Sequence, residues 1–179
     1  MAGILKVDKY QDFNGNDIMT SDGAGNLTIN NAALKMTPAF QVNLNANQTI
    51  SDAVHTVIQF DVVDYDTGSY WDAVNYRWKP LISGNYLIYY GVKVSHQTTT
   101  NMSRNIVRFQ KNGVRIDDRF SDLMTTSVQQ ISTHSELLIT NMNGTTDYLD
   151  VTAYGDTSDA TSPQVGAKST FGAYKLLGV

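Results

Sequence analysis

The amino-acid sequence predicts an all-β protein whose main domain is an antiparallel β-sandwich. Glu, a strong helix former, occurs only at Glu136, whereas Asn, Thr, Ser, Asp and Gly are abundant, a composition typical of strands and turns. Short apolar segments with period-two alternation recur along the chain, separated by turn signatures such as Asn-Gly. About eight to ten strands joined by short turns favour a sandwich or jelly roll.

Length, charge and cysteine content exclude several classes of protein. At 179 residues the chain fits one ordinary domain plus an extension. The net charge of −4 and the scattered Lys and Arg residues argue against a nucleic-acid-binding surface. No apolar run approaches the roughly 18 residues that span a bilayer, so we expect no membrane insertion, and Met1 does not open a signal peptide. The absence of cysteine excludes a disulfide framework and a cysteine nucleophile.

Residues 1–37 differ in pattern from the rest of the chain and are expected to form a short β-rich N-terminal arm. Residues 21–26 provide a turn suited to a hairpin, but the flanking strands carry too few apolar side chains to build a core alone. Two interpretations remain: a flexible leader, or an arm ordered by packing on symmetry mates or on a docking protein. The second is favoured because disordered leaders seldom carry this many large apolar residues. The candidate docking residues are Ile4, Leu5, Val7, Phe13, Ile18, Leu27 and Ile29.

Residues 38–179 form the predicted main domain, which is organised around a strand over residues 86–94. Pro80 and Gly84 prevent this strand from beginning earlier. A strand so rich in tyrosine and β-branched residues is expected at the centre of a sheet, with both faces largely covered. By alternation, the residues of one face are Tyr86, Ile88, Tyr90, Val92 and Val94, and those of the other are Leu87, Tyr89, Gly91 and Lys93.

The other strands of the main domain follow in order. We expect them over residues 39–44, 57–60, 105–110, 128–139, 148–154 and 170–177. Asn112-Gly113 predicts a tight hairpin, and Asn143-Gly144 predicts a further turn. Residues 61–72, 96–102 and 155–168 are rich in turn-forming residues and are expected to be exposed loops.

Five segments of residues 38–179 carry a resemblance to a known family. In order they are Ala39-Phe40; Tyr76-Arg77-Trp78-Lys79-Pro80 followed by Gly84-Asn85-Tyr86; Lys111-Asn112-Gly113; Asp147-Tyr148-Leu149-Asp150-Val151; and Ser169-Thr170-Phe171-Gly172-Ala173-Tyr174-Lys175-Leu176-Leu177. This order resembles the C1q/TNF-like jelly roll, the globular head of complement C1q and of tumour-necrosis-factor-type ligands. The sequence departs from that pattern in having Thr146-Asp147 where Gly-Asp is usual, and in lacking a collagen-like stalk.

The C1q/TNF resemblance implies a homotrimer in which one sheet of each head faces the threefold axis. The face of residues 86–94 that carries Leu87 and Tyr89 is too apolar to be left in solvent, which agrees with this implication. The trimer-interface candidates are therefore Leu87, Tyr89, Tyr148 and Tyr154. The alternative is that these side chains line the core or a groove of the monomer.

Two stretches of the arm resemble the openings of tail-fibre and virion proteins of bacteriophages: Leu5-Lys6-Val7-Asp8-Lys9 and residues 18–28. This resemblance implies a structural protein on the virion surface, a capsid decoration or short fibre whose arm contacts other capsid or tail proteins. Synthesis in a reducing cytoplasm is consistent with the absence of cysteine. The alternatives are a tail-fibre tip that recognises a host surface glycan or receptor, and a soluble C1q/TNF-like ligand or lectin.

No group of residues indicates an enzyme, a cofactor or a metal site. His55, His96 and His134 lie in separate segments without metal-ligand spacing or an adjacent nucleophile, and we expect them to be surface or cross-strand residues. No Gly-x-Ser-x-Gly motif and no phosphate-binding glycine-rich loop are present. We therefore expect no catalytic residue.

The segment before Trp71 contains the best ligand candidates. Asp61, Asp64 and Asp66 can supply oxygen ligands to calcium, although turn formation explains them equally well. Tyr70 and Trp71 are candidates for a sugar-stacking platform; the alternative is that Trp71 packs under its own loop. The ligand-loop candidates are Asp64, Asp66, Tyr70 and Trp71.

Overall fold

The computed structural model describes residues 7–30, 36–96, 102–122 and 130–177, which contain sixteen strands and no helix. Within these ranges, accordingly, no helix is long and apolar enough to cross a membrane. The strands are β1 (Lys9–Gln11), β2 (Asp17–Ser21), β3 (Leu27–Ile29), β4 (Ala39–Asn43), β5 (Gln48–Thr49), β6 (Thr56–Val57), β7 (Val62–Asp66), β8 (Trp71–Asp72), β9 (Arg77–Trp78), β10 (Gly84–Ser95), β11 (Met102–Lys111), β12 (Val114–Asp122), β13 (Ile131–Met142), β14 (Leu149–Thr157), β15 (Gln164–Val165) and β16 (Thr170–Lys175).

Two antiparallel sheets form the main domain. In sheet 1, β10 pairs with β13 along one edge and with β16 and β15 along the other, and the sheet continues from β16 to β4 and β7. In sheet 2, β11 lies between β12 and β14, and β14 also pairs with β6 and β9. The fold is an antiparallel β-sandwich, as the sequence predicts, and β10 occupies the predicted central position.

The core lies between the two sheets and is rich in aromatic rings. The predicted alternation of β10 is confirmed, because the five side chains of one predicted face, from Tyr86 to Val94, are all buried in this core. Phe40 of β4 stacks on Trp78 of β9 with ring centroids 4.4 Å apart, and Tyr90 contacts Phe109 of sheet 2 at 4.6 Å. These ring contacts hold the inward faces of the two sheets together. The outward faces of the sheets contact solvent or partner proteins.

The prediction of a loop over residues 61–72 is wrong in part. Residues Val62–Asp66 form β7, which pairs with β4 at the edge of sheet 1, and Trp71–Asp72 form β8. Four of the five residues of β7 are exposed, so the strand lacks the alternation of burial that identifies strands in a sequence. Likewise, the predicted loop over residues 155–168 includes the end of β14 and all of β15. Residues 97–101 of the third predicted loop lie outside the described residues.

The arm contains a three-stranded antiparallel sheet, β1-β2-β3, with hydrogen-bond pairing of its own. We call it the arm sheet. The turns after β1 and β2 are built around Asp12 and Asp22. Of the candidate docking residues, Ile4 and Leu5 lie outside the described residues, Ile18, Leu27 and Ile29 are in the arm sheet, and Val7 and Phe13 flank its first strand.

Candidate interaction surface

The outward face of sheet 1 carries a continuous apolar area. Leu87 pairs with Ile139 on one side and Tyr174 on the other, and Tyr89 pairs with Leu137. Directly opposed residues in antiparallel strands share a face, so these five side chains lie together on the side away from the core. We call them the apolar face. Leu137 is 61% exposed and Ile139 57%, although both lie on a strand that pairs with the centre of the sheet.

Tyr89 lies flat across its own sheet. A Cβ atom at Gly172, the residue paired with Tyr89 on β16, would collide with the Tyr89 ring. Because glycine leaves that space open, the ring reaches β4, where its hydroxyl donates a hydrogen bond of 2.8 Å to Oε1 of Gln41. Burial, followed by the hydrogen bond with Tyr65, raises the pKa of Tyr89. Tyr89 is therefore a fixed, neutral part of this surface.

Polar side chains border the apolar face on the β4 and β7 side. Oδ2 of Asp64 accepts hydrogen bonds of 2.6 Å from both Gln41 and Asn43. The hydroxyls of Tyr65 and Tyr89 are 3.5 Å apart. The resulting arrangement, an apolar area bordered by ordered polar groups, is typical of a protein–protein interface.

The structure separates the four trimer-interface candidates. Leu87 and Tyr89 belong to the apolar face, whereas Tyr148 and Tyr154 lie on the sheet 2 side of the sandwich. The guanidinium carbon of Arg77 lies 4.7 Å from the centre of the Tyr148 ring, and the Tyr154 ring contacts His55 at 4.8 Å. The two pairs do not share a single surface within one protomer.

Next to Tyr148, Asp150 is a buried carboxylate on the outward side of sheet 2. Asp150 is 6% exposed, and no hydrogen-bond donor among the described residues reaches its buried Oδ1 atom. Burial raises the pKa of Asp150 to about 6, although the positive charge of Arg77 partly opposes the shift. At neutral pH the Asp150 carboxylate is therefore charged, and burying this charge destabilises the folded state.

The aspartates proposed as calcium ligands serve separate local roles. Asp61 accepts a hydrogen bond from the backbone of Asn45, and Asp64 bridges β4 and β7 as described above. Asp66 accepts hydrogen bonds from the backbone N–H groups of Gly68 and Trp71 and so closes its own turn. In the described part of the chain, no three His, Asp or Glu side chains are grouped as metal ligands.

Tyr70 and Trp71, the proposed sugar platform, pack against the core. The Trp71 ring stacks on Phe40 at 5.9 Å and meets Phe171 edge-on at 6.3 Å. An indole face used in this way is not free for a sugar ring, which agrees with the alternative that Trp71 packs inside its own region.

The histidines were expected to be surface or cross-strand residues, and His134 is a cross-strand residue of β13, where it pairs with Val92 of β10. His134 and His96, which follows β10, are both buried rather than on the surface. Nε2 of His134 lies 2.8 Å from Oγ of Ser132 and contacts Oδ1 of Asn105 in the opposite sheet. Burial lowers the pKa of His134, so this side chain is a neutral hydrogen-bonding group of the interior.

Comparison with known proteins supports the fold. No protein-family model matches the sequence, and no curated protein matches it. Among solved structures, the globular domain of the zebrafish complement 1qA protein is similar with a TM-score of 0.58 and 14% identity, covering 78% of this chain and 96% of that one. The chain has the C1q/TNF-like jelly-roll fold. The Eiger TNF of S. frugiperda is also similar, with a TM-score of 0.57 and 14% identity over 79% of this chain and 93% of that one.

Proposed function

We propose that this protein is a structural virion protein of a bacteriophage: a trimeric decoration or short fibre that exposes a jelly-roll head on the particle. The head stabilises the particle or adheres to the host, and the N-terminal arm attaches the trimer to capsid or tail proteins. Mechanism in this proposal means binding and assembly, without catalysis or a cofactor.

The apolar face is the observation that supports assembly. Leu137 and Ile139 of β13 are exposed beside the half-buried Leu87 of the central strand β10, and a sheet face of this composition gains free energy when it is covered. The C1q/TNF-like fold favours two further copies of the same chain as the cover. The virion role is supported by the resemblance of the arm to phage fibre and virion proteins.

A tail-fibre tip that binds host glycan is the second candidate. Trp71, its best stacking platform, stacks on Phe40, which favours the exposed turns over Trp71 as the place where a glycan would bind. A soluble ligand or lectin remains the third candidate, since the fold alone is compatible with it.

Gold-labelled antibody against this chain, applied to intact phage particles of the source and viewed by electron microscopy, tests the proposal. Gold over the head identifies a decoration or head fibre, and gold confined to the tail identifies an adhesin. Absence of gold from all particles would contradict the virion role and leave the soluble-ligand candidate.

A further inference from the structure

We propose that the arm sheet packs, in the trimer, against the arm sheets of two other copies of this chain, so that the three arms form a common stem. The proposal rests on the trimer put forward above and specifies the partner of the arm. It concerns residues 7–30, the described part of the arm, and leaves attachment to the particle to the remaining surfaces of the arm.

The arm sheet has one apolar face that no described residue of its own chain covers. Met19 at the centre of β2 pairs with Tyr10 of β1 and Ile29 of β3, and Leu27, two residues before Ile29 on β3, lies on the same side. Tyr10 is 47% exposed and Leu27 58%. We call these four residues the arm's apolar face.

The opposite face of the arm sheet is polar and satisfies its own hydrogen bonds. Thr20 pairs with Lys9 on one side and Thr28 on the other. Nζ of Lys9 lies 2.9 Å from Oδ2 of Asp17, and Gln11 donates a hydrogen bond of 2.7 Å to the same carboxylate. Ile18 is left unpaired at the register shift between β1 and β2 and is 37% exposed. The polar face therefore gains little from a partner, whereas the apolar face gains from being buried.

The turns of the arm sheet are fixed within a single chain. Oδ1 of Asp12 accepts hydrogen bonds from the backbone of Asn14 and Asn16, while Oδ2 accepts one from the Asn16 side chain. Asp22 repeats this arrangement ten residues later, with Ala24 and Asn26 in the equivalent places. The sheet is thus shaped before assembly, but a three-stranded sheet needs a covered apolar side for independent stability.

Other copies of the arm are the partner that the chain itself supplies. Nine residues separate Ile29 from Ala39, and such a link spans at most about 35 Å. Three heads that share an axis would therefore hold three arms within reach of one another, at an effective concentration in the millimolar range. None of the four residues of the arm's apolar face is charged, so three copies can meet there without like-charge repulsion.

Cysteine cross-linking of the full-length chain tests this arrangement, since the sequence contains no cysteine of its own. Met19→Cys places a thiol on the arm's apolar face, and Thr20→Cys, its neighbour on the same strand, places one on the polar face. Disulfides form only between residues whose Cα atoms approach within about 7 Å. We expect mild oxidation to give at least about fivefold more covalent dimer with Met19→Cys than with Thr20→Cys.

A second pair of variants tests whether a difference in cross-linking arises from misfolding or from unequal thiol reactivity rather than from packing of the arms. Met19→Lys is expected to abolish the protection of residues 7–30 from amide hydrogen exchange, while Thr20→Lys preserves it. Equal cross-linking of the two cysteine variants, or unchanged protection in Met19→Lys, would overturn the stem if light scattering still shows a trimer. A monomeric wild-type chain would instead refute the proposed trimer, and the stem with it.

Discussion

At the scale of single residues, Asp150 makes the folding stability of the head depend on pH. Its carboxyl has a pKa of about 6 in the folded chain, against 3.8 for an ordinary aspartate, because it is buried. The folded state therefore holds the proton more tightly than the unfolded state. Stability from this group is present at low pH, declines as the pH rises from about 4 to 6 and stays reduced above that range.

Replacement of Asp150 by Asn should stabilise the protein at high pH, because it removes the charge and retains the shape. We expect a gain of about 1–3 kcal/mol at pH 8, the size that a pKa displacement of this order implies. The gain should diminish towards pH 4, where the wild-type carboxyl is protonated in both states. Urea unfolding of both proteins at the two pH values measures this, and a difference independent of pH would contradict it.

Asp147 is also a buried carboxylate, but unlike Asp150 it has partners that favour its charged form. It accepts hydrogen bonds from the Asn112 side chain and the Asn143 backbone and forms an ion pair of 3.0 Å with Lys111. Burial by itself would raise the pKa of Asp147, but these partners outweigh burial and lower it. The side chain thereby joins the turn after β11 to the turn after β13.

Removal of the Asp147 carboxylate should cost about 2–3 kcal/mol, because it leaves buried donors without acceptors. Asp147→Ala is the variant, and Asp64→Ala, which removes an exposed carboxylate with two hydrogen bonds of similar length, is the matched control. The control should lose less than about 1 kcal/mol. Equal losses in chemical denaturation would show that burial is not the deciding factor.

At the scale of elements, the sequence predicts strands where burial alternates and fails where it does not. The alternation of β10 could be predicted because one face lies on the core and the other does not. The sequence does not predict β7, because it is an edge strand with mostly exposed side chains and contains Asp64 and Asp66, which are turn-favouring residues. The sequence alone does not specify which strands pair, so it does not indicate that Leu137 and Ile139 lie beside Tyr89 and Leu87.

Because β13 pairs with β10, substitutions on the outward side of β13 test whether the apolar face is the interface. Leu137→Lys places a charge beside Tyr89 on the apolar face and should weaken trimer association at least tenfold, since a central apolar contact contributes about 2 kcal/mol. Val114→Lys on β12 is the control, because Val114 is similarly exposed, at 66%, but belongs to sheet 2. Sedimentation velocity over a concentration series measures both. Equal association of the two variants would exclude the apolar face as the interface.

At the scale of the whole molecule, composition and strand pattern were sufficient for the fold class but not for a binding site. The sandwich follows from alternating apolar segments and turns, and its resemblance to C1q and TNF heads agrees with the similar solved structures. The ligand candidates depended on side-chain direction, which a sequence does not contain. Trp71 thus stacks on Phe40, and Tyr148 and Tyr154 lie on the side of the sandwich opposite Leu87 and Tyr89.

The molar mass of the wild-type chain in solution, measured by light scattering during size-exclusion chromatography, tests the central claim that the chain forms a homotrimer. We predict a species of three times the 19.8 kDa chain mass at micromolar concentration. A species of 19.8 kDa under the same conditions would contradict the claim, because the apolar face would then be exposed to solvent in the isolated protein.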